Sequence, residues 1–202
     1  MKILGWIVFG FFAIGVGLYP VLYFFVDMSQ GFLSSKSTTL LQNPVWNFFF
    51  YQHILLGGIV LLIGWIQFSK NLRSKYLHFH RFIGKVYVTA CILSGIAGLY
   101  IAFYATGGIV ASLGFTGLAL SWLFTTTKAF LLIRLKKVTE HKDWMIRSYA
   151  LTFAAVTLRI WLPLSQILQI DFIPAYVVIA WLCWMPNLFV AEWIIRSKHV
   201  PA

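Results

Sequence analysis

Charged and hydrogen-bonding side chains are costly inside lipid, so each one found there is a candidate for chemistry. The chain sets His53, Gln67, Arg147, Arg159, Asn187 and Glu192 within or at the ends of long apolar runs. His80 and His141 stand where two such runs begin. Arg159 is the most expensive to place. At ~1.5 Å per helical residue it lies ~22 Å from the start of its run. It therefore needs an acceptor, and a carbonyl near Pro163, Asp171 or a neutral His53 are the candidates. Asp27 and Asp171 are the acids on that side of the protein.

Three readings follow from these residue types. In the first, His80 and His141 hold a ligand from two neighbouring helices at matched depth. Such a pair can ligate a b-type haem axially or flank a quinone-like ring, with Arg147 and Arg159 as charge partners. In the second, Arg159 and His53 line an outward cavity for a small, anionic solute. In the third, the polar groups only hold helices together, as in an assembly protein without chemistry. Interfacial His bonded to loop carbonyls or lipid phosphates fits that third reading, as does an ion pair of Glu192 with Arg147 or Lys128. Lys128 can also snorkel to the interface. The HxxxH, HExxH and CxxC patterns are absent, and no Ser/His/Asp set or phosphate-cradling loop occurs. The residue types leave the question of enzyme activity open.

The elements that must carry these residues are helices. A spanning helix needs ~20 mostly apolar residues. Six runs qualify, at 3–26, 45–68, 82–105, 109–135, 144–168 and 173–195. The expected fold is all-α, with residues 1–202 forming one six-helix membrane domain. The first run is too long for a typical signal-peptide core and reads as a retained helix. Gly107-Gly108 marks a tight hairpin, and Pro163 and Pro174 are expected to frame the fifth turn. The Ser/Thr-rich stretch 27–44 reads as a structureless connection in which Phe32 and Leu33 dip into the interface.

Composition agrees. The chain of 202 residues is 60% hydrophobic and 10% charged, with a mean hydropathy of +0.84. A soluble fold of that size cannot bury so much apolar surface. The net charge of +11 would suggest nucleic acid in a soluble protein, but no basic face remains once the helices are placed. The expected partners are membrane lipids and a small molecule, with no nucleic acid. All but Lys36, Lys128 and Arg159 of the 16 Lys and Arg fall on one side of the six runs. The positive-inside rule then puts both termini in the cytoplasm and the protein in the cytoplasmic membrane. Cys91 and Cys183 lie inside apolar runs and read as packing residues.

Helical spacing aligns the polar and small residues. His53, Gly57, Gly64 and Gln67 share one face of the second helix; His80, Gly84, Tyr87, Cys91, Gly95 and Gly98 share one of the third. Gly114, Gly117, Ser121, Thr125 and Lys128 align on the fourth, and His141, Ser148, Thr152, Ala155 and Arg159 on the fifth. Helices two to five are thus expected to form a bundle with a polar interior. His80, Lys85 and Tyr87 also have an echo in His141, Arg147 and Tyr149.

The segments HRFIGKVY (80–87), HKDWMIRSY (141–149) and WLCWMPN (181–187), with GWIQF (64–68) and Arg159, resemble a bacterial membrane-protein family. That family is catalogued as domain of unknown function 2306. The resemblance spans about Trp46 to Trp193, with Lys85 where the family pattern has Arg. It implies a bacterial membrane protein and supports this choice of residues. It supplies no reaction, because the family carries no settled activity.

Overall fold

The computed structural model describes residues 3–25 and 31–199. Lys2 and Asp27 lie outside the described residues. Six helical spans are long and apolar enough to cross a membrane: α1 (Ile3–Phe24), α2 (Pro44–Phe68), α3 (Leu77–Ala102), α4 (Gly108–Arg134), α5 (Val138–Ile167) and α6 (Phe172–Lys198). No strand occurs among the described residues. The fold is therefore all-α, as the apolar runs require. Large apolar side chains such as Phe11, Phe48, Leu113, Phe124, Phe189 and Trp193 point outward, which lipid tolerates and water does not.

Helices α3 and α5 begin five and six residues earlier than their apolar runs. Leu77–Arg81 and Val138–Asp143 carry charge, but a helix that leaves lipid does not stop at the apolar boundary. His80 and His141 consequently sit inside first turns. Gly107 and Gly108 make the α3–α4 turn with φ of 94° and 72°, values that glycine alone adopts without strain. A side chain at Gly107 would also strike Val177. Asn43 caps α2, its Oδ1 accepting from the Val45 and Trp46 amides at 2.9 and 3.1 Å, and Pro44 follows at a position where no amide is needed.

Three expectations fail. The connection before α2 is folded: Gly31–Ser35 is a 3-10 turn and Thr38–Leu41 a helical turn capped by Ser37. Leu33 is buried against Trp46 and Phe50 and so lies in protein, not at the lipid interface. Pro163 does not frame a turn; it lies within the helix Ala154–Ile167. Lys128 leaves the polar stripe of α4 and is exposed, as a snorkelling side chain would be.

Helices α2, α3, α4 and α5 pack in sequence, and α2 meets α5 around Gly64. Helix α1 covers α2 and the later half of α5, while α6 packs along α4 and both halves of α5. Two spans are interrupted. Helix α5 breaks at Phe153 and α6 at Cys183-Trp184. Pro186 explains the second break, because it cannot donate to a carbonyl of the preceding turn. The ends of the bundle differ. One carries Lys70–Lys75, Arg134, Lys136, Lys137 and Arg196, and is here the basic end. The other carries 31–43, 103–107 and 168–171, and is here the far end.

The interior of the bundle is polar at its centre. Tyr87 Oη meets Ser148 Oγ at 3.0 Å and Thr152 Oγ1 at 3.1 Å. Thr126 Oγ1 meets Ser148 Oγ at 2.7 Å, and Trp122 Nε1 donates to Thr152 Oγ1 at 3.0 Å. Each of these groups has a partner, so the network fixes α3, α4 and α5 in register.

Candidate functional site

A cavity of about 270 Å³ opens in the far half of the protein. All six spans line it. Helix α2 contributes His53 and Phe50, α3 Gly95 and Gly98, α4 Phe115 and Trp122, and α5 Thr152 and Arg159. Tyr19 and Tyr23 come from the 3-10 end of α1, Tyr176 from α6, and Lys36 from the folded connection. The missing side chain at Gly98 makes room for His53, which a Cβ there would meet at 2.9 Å, and the one at Gly95 lets Leu123 of α4 pack against α3. Trp122 and Thr152 join this cavity to the central hydroxyl network.

Arg159 is drawn into the cavity wall. Its Nη1 donates to the Ala155 carbonyl at 2.9 Å, one turn back in its own helix. The guanidinium lies over the Tyr19 ring, 4.5 Å from the centroid. Neither Asp171, which is exposed, nor His53 nor a carbonyl at Pro163 serves as its partner; Asp27 lies outside the described residues. Among the described residues an intrahelical carbonyl and an aromatic face serve Arg159 in place of an acid, and together they use few of the five guanidinium donors.

His53 stands against Gly98. Its Nδ1 is 2.9 Å from the Ser94 carbonyl. A carbonyl can only accept, so Nδ1 carries the proton and Nε2 is left for another partner. Ser94 Oγ donates to the His53 carbonyl at 2.9 Å and so locks the pair. Lys36 Nζ donates to the Tyr104 carbonyl. Burial pushes the Lys36 ammonium down to about 8, because the charged form is the one that loses hydration. Among the described residues no Asp or Glu lines the cavity.

The residues expected at the basic end divide into separate groups. His80, His141 and Gln67 come together with Arg73. Arg73 Nη1 donates to the Gln67 carbonyl at 3.2 Å, and Arg73, His141 and Arg81 are the charged neighbours of His80. His141 Nδ1 is 2.8 Å from the Ala129 carbonyl. Arg147 and Glu192 form a second group, between α5 and α6. They make a bidentate pair, with Nη2–Oε2 at 2.9 Å, and Arg147 stacks on Trp144 at 4.5 Å. Asn187 stands apart from both. Its Nδ2 donates to the Ala150 carbonyl, Thr157 Oγ1 and the Cys183 carbonyl at 3.2, 3.2 and 3.0 Å. These are the groups beside the two helix breaks, which makes Asn187 a packing residue. Cys91 and Cys183 are buried and unpaired, also as packing residues.

Lys36, Tyr19 and Tyr23 were not candidates in the sequence. Lys36 gave one signal: it is the single cation outside the spans on the side that the positive-inside rule depletes. The tyrosines gave none, since aromatics at a span end ordinarily anchor helices at the interface.

No curated relative and no solved structure matches the chain. A family described as predicted membrane protein, DUF2306, matches it over residues 50–195, from α2 to α6, and leaves out α1 with its two cavity tyrosines. That match covers His53, Gln67, His80, His141, Arg147, Arg159, Asn187 and Glu192, and the chain belongs to this family of membrane proteins.

Proposed function

We propose that the protein binds a small organic anion in the far-half cavity, as a carrier or a membrane-embedded receptor. One observation carries this reading. Among the described residues, Arg159 and Lys36 line a cavity without an acid, and Arg159 meets a carbonyl and an aromatic ring. A cation held in a low-dielectric site without a counter-ion favours an anionic occupant. The volume is near the lower limit of ligand pockets, ~300–1,000 Å³, so the ligand is small. Apolar walls from Phe50, Ile54, Phe115, Leu118 and Leu158 suit a short hydrocarbon body. His53 Nε2 suits a hydroxyl beside the charged group.

The cation asymmetry supports a topology with both termini in the cytoplasm of a bacterial cell and the cavity facing outward. The competing reading is a b-type haem or quinone held by His80 and His141. The Ala129 carbonyl favours it, by orienting His141 with Nε2 free. Against it, His80 Nδ1 has no acceptor, whereas an axial imidazole ordinarily donates through that atom.

Calorimetric titration of the purified protein with short carboxylates and 2-hydroxycarboxylates tests the proposal. Binding should be lost in Arg159→Gln while folded yield is retained, since the cavity stays hydrated. Undiminished binding in Arg159→Gln refutes the proposal. A Soret band that disappears in His141→Ala would favour the haem instead.

A further inference from the structure

The basic end holds a second set of groups that lack partners. Gln67 is 7% exposed, and both its Nε2 and its Oε1 are buried without a hydrogen bond among the described residues. His80 Nδ1 is buried and unpartnered as well. Buried amides and imidazoles left unpaired cost stability, and native proteins seldom keep them unless something binds there; Arg73 links these two, its Nη1 donating to the Gln67 carbonyl at 3.2 Å and its charge acting on His80. The charge around them is one-sided. The neighbours that act on His80 are Arg73, His141 and Arg81, all cationic or able to become so. Of the acids at this end, Glu140 pairs with Lys137 at 3.2 Å and Glu192 with Arg147, and Asp143, two residues beyond His141, is not among the groups that act on His80. There is also room. Gly84 lies one turn along α3 from His80, and a Cβ built on it meets nothing within 4 Å.

We propose that Gln67, Arg73, His80 and His141 form a binding site for a phosphate monoester group at the level of the lipid headgroups. The chemistry selects this class. Gln67 Nε2, Arg73 and His80 are donors for phosphoryl oxygens, while His141, whose Nδ1 donates to the Ala129 carbonyl, presents Nε2 as an acceptor. Gln67 Oε1 can only accept, and a monoester, whose second proton leaves near pH ~6, supplies an acidic P–OH for it. A phosphodiester has no such proton. The site is at the ends of α2, α3 and α5, where a lipid phosphate resides, but a free phosphate presents the same atoms. It is separate from the far-half cavity and does not rest on the function proposed for it.

The test uses the full chain in detergent, with thermal unfolding read against four probes: inorganic phosphate, and the dioctanoyl forms of phosphatidic acid, phosphatidylglycerol and phosphatidylcholine. Phosphatidic acid should stabilise the protein in a saturable manner, and phosphatidylglycerol and phosphatidylcholine should not. Inorganic phosphate acting as well as phosphatidic acid identifies the free ion as the ligand; phosphatidic acid acting alone identifies the lipid. Gln67→Leu should fold and be at least as stable as wild type without ligand, because it removes two unpartnered atoms, yet bind about tenfold more weakly or worse. His80→Phe should behave likewise, and Arg159→Gln should bind as wild type. Equal stabilisation by phosphatidylglycerol and phosphatidic acid, no stabilisation by either phosphate probe, or unchanged affinity in Gln67→Leu overturns the proposal.

Discussion

Gly64→Ala should be among the most damaging small substitutions in this protein. The added Cβ would lie 2.3 Å from Tyr149 Cε2 and 2.8 Å from Tyr87 Cε2, where carbon atoms normally keep ~3.5–4.0 Å apart. One ring or the backbone must therefore move by about 1 Å or more. Neither ring is free to do so. Tyr149 and Tyr87 are 3% and 1% exposed. Tyr149 Oη donates to the Leu61 carbonyl at 3.0 Å, and Tyr87 Oη is shared between Ser148 and Thr152. Overpacking of this kind costs ~1–3 kcal/mol, and each hydroxyl bond broken adds ~1 kcal/mol. The gain in helix propensity from Gly to Ala returns at most ~1 kcal/mol. The net loss is about 2–3 kcal/mol, or a fall in Tm of ~4–12 °C for a chain of this length. Tryptophan fluorescence during heating in one detergent measures it. Gly84→Ala, with open space at its Cβ, is the matched control and should hold or raise Tm. Gly64→Ala as stable as wild type would refute the packing argument.

Anion affinity in the far-half cavity should fall as pH rises through about 8, because Lys36 loses its charge there and not near its ordinary value. Titration calorimetry across pH checks this, and Lys36→Met should flatten the profile. Asn187→Ala should lower Tm by several degrees, since it removes the donor to three acceptors that do not themselves line the cavity. Cytoplasmic reporters fused after Lys75, Lys137 and Lys198 should be active and one after Ser35 silent; activity at Ser35 would invert the topology.

The spans were legible because lipid demands length and apolarity, and nothing shorter than a residue-by-residue count is needed to see both. Gly107-Gly108 was legible because only glycine serves in that turn. Depth arithmetic brought Arg159 and His53 into the same half, and the structure puts both on one cavity. What stayed hidden depends on contacts across the fold. The sequence offers Arg159 a carbonyl near Pro163, Asp171 or His53, whereas helical geometry supplies the Ala155 carbonyl of its own turn. Tyr19 and Tyr23 looked like interfacial anchors because their role depends on how α1 leans over α5. Lys36 belongs to a stretch whose fold rests on Leu33 burying against Trp46 and Phe50, a contact with no local pattern. Asn187 and Gln67 are both amides on apolar spans. Only the partners around them separate the one that closes gaps from the one left open.

A helix interrupted in mid-membrane is ordinarily a soft joint, free to bend because its ladder of bonds is cut. Here two such joints lie side by side, and Thr157 and Asn187 bridge them, Thr157 donating to the Cys183 carbonyl of α6 and Asn187 to Thr157 Oγ1 and the Ala150 carbonyl of α5. The later half of α5, which bears Arg159, thus cannot swing without dragging the later half of α6 with it. Interhelical bonds of this kind are each worth only ~0.6 kcal/mol in lipid. The coupling is therefore strong enough to make the two segments travel together and weak enough to be released by thermal motion. The positive wall of the far-half cavity is carried on a paired lever rather than on a fixed post.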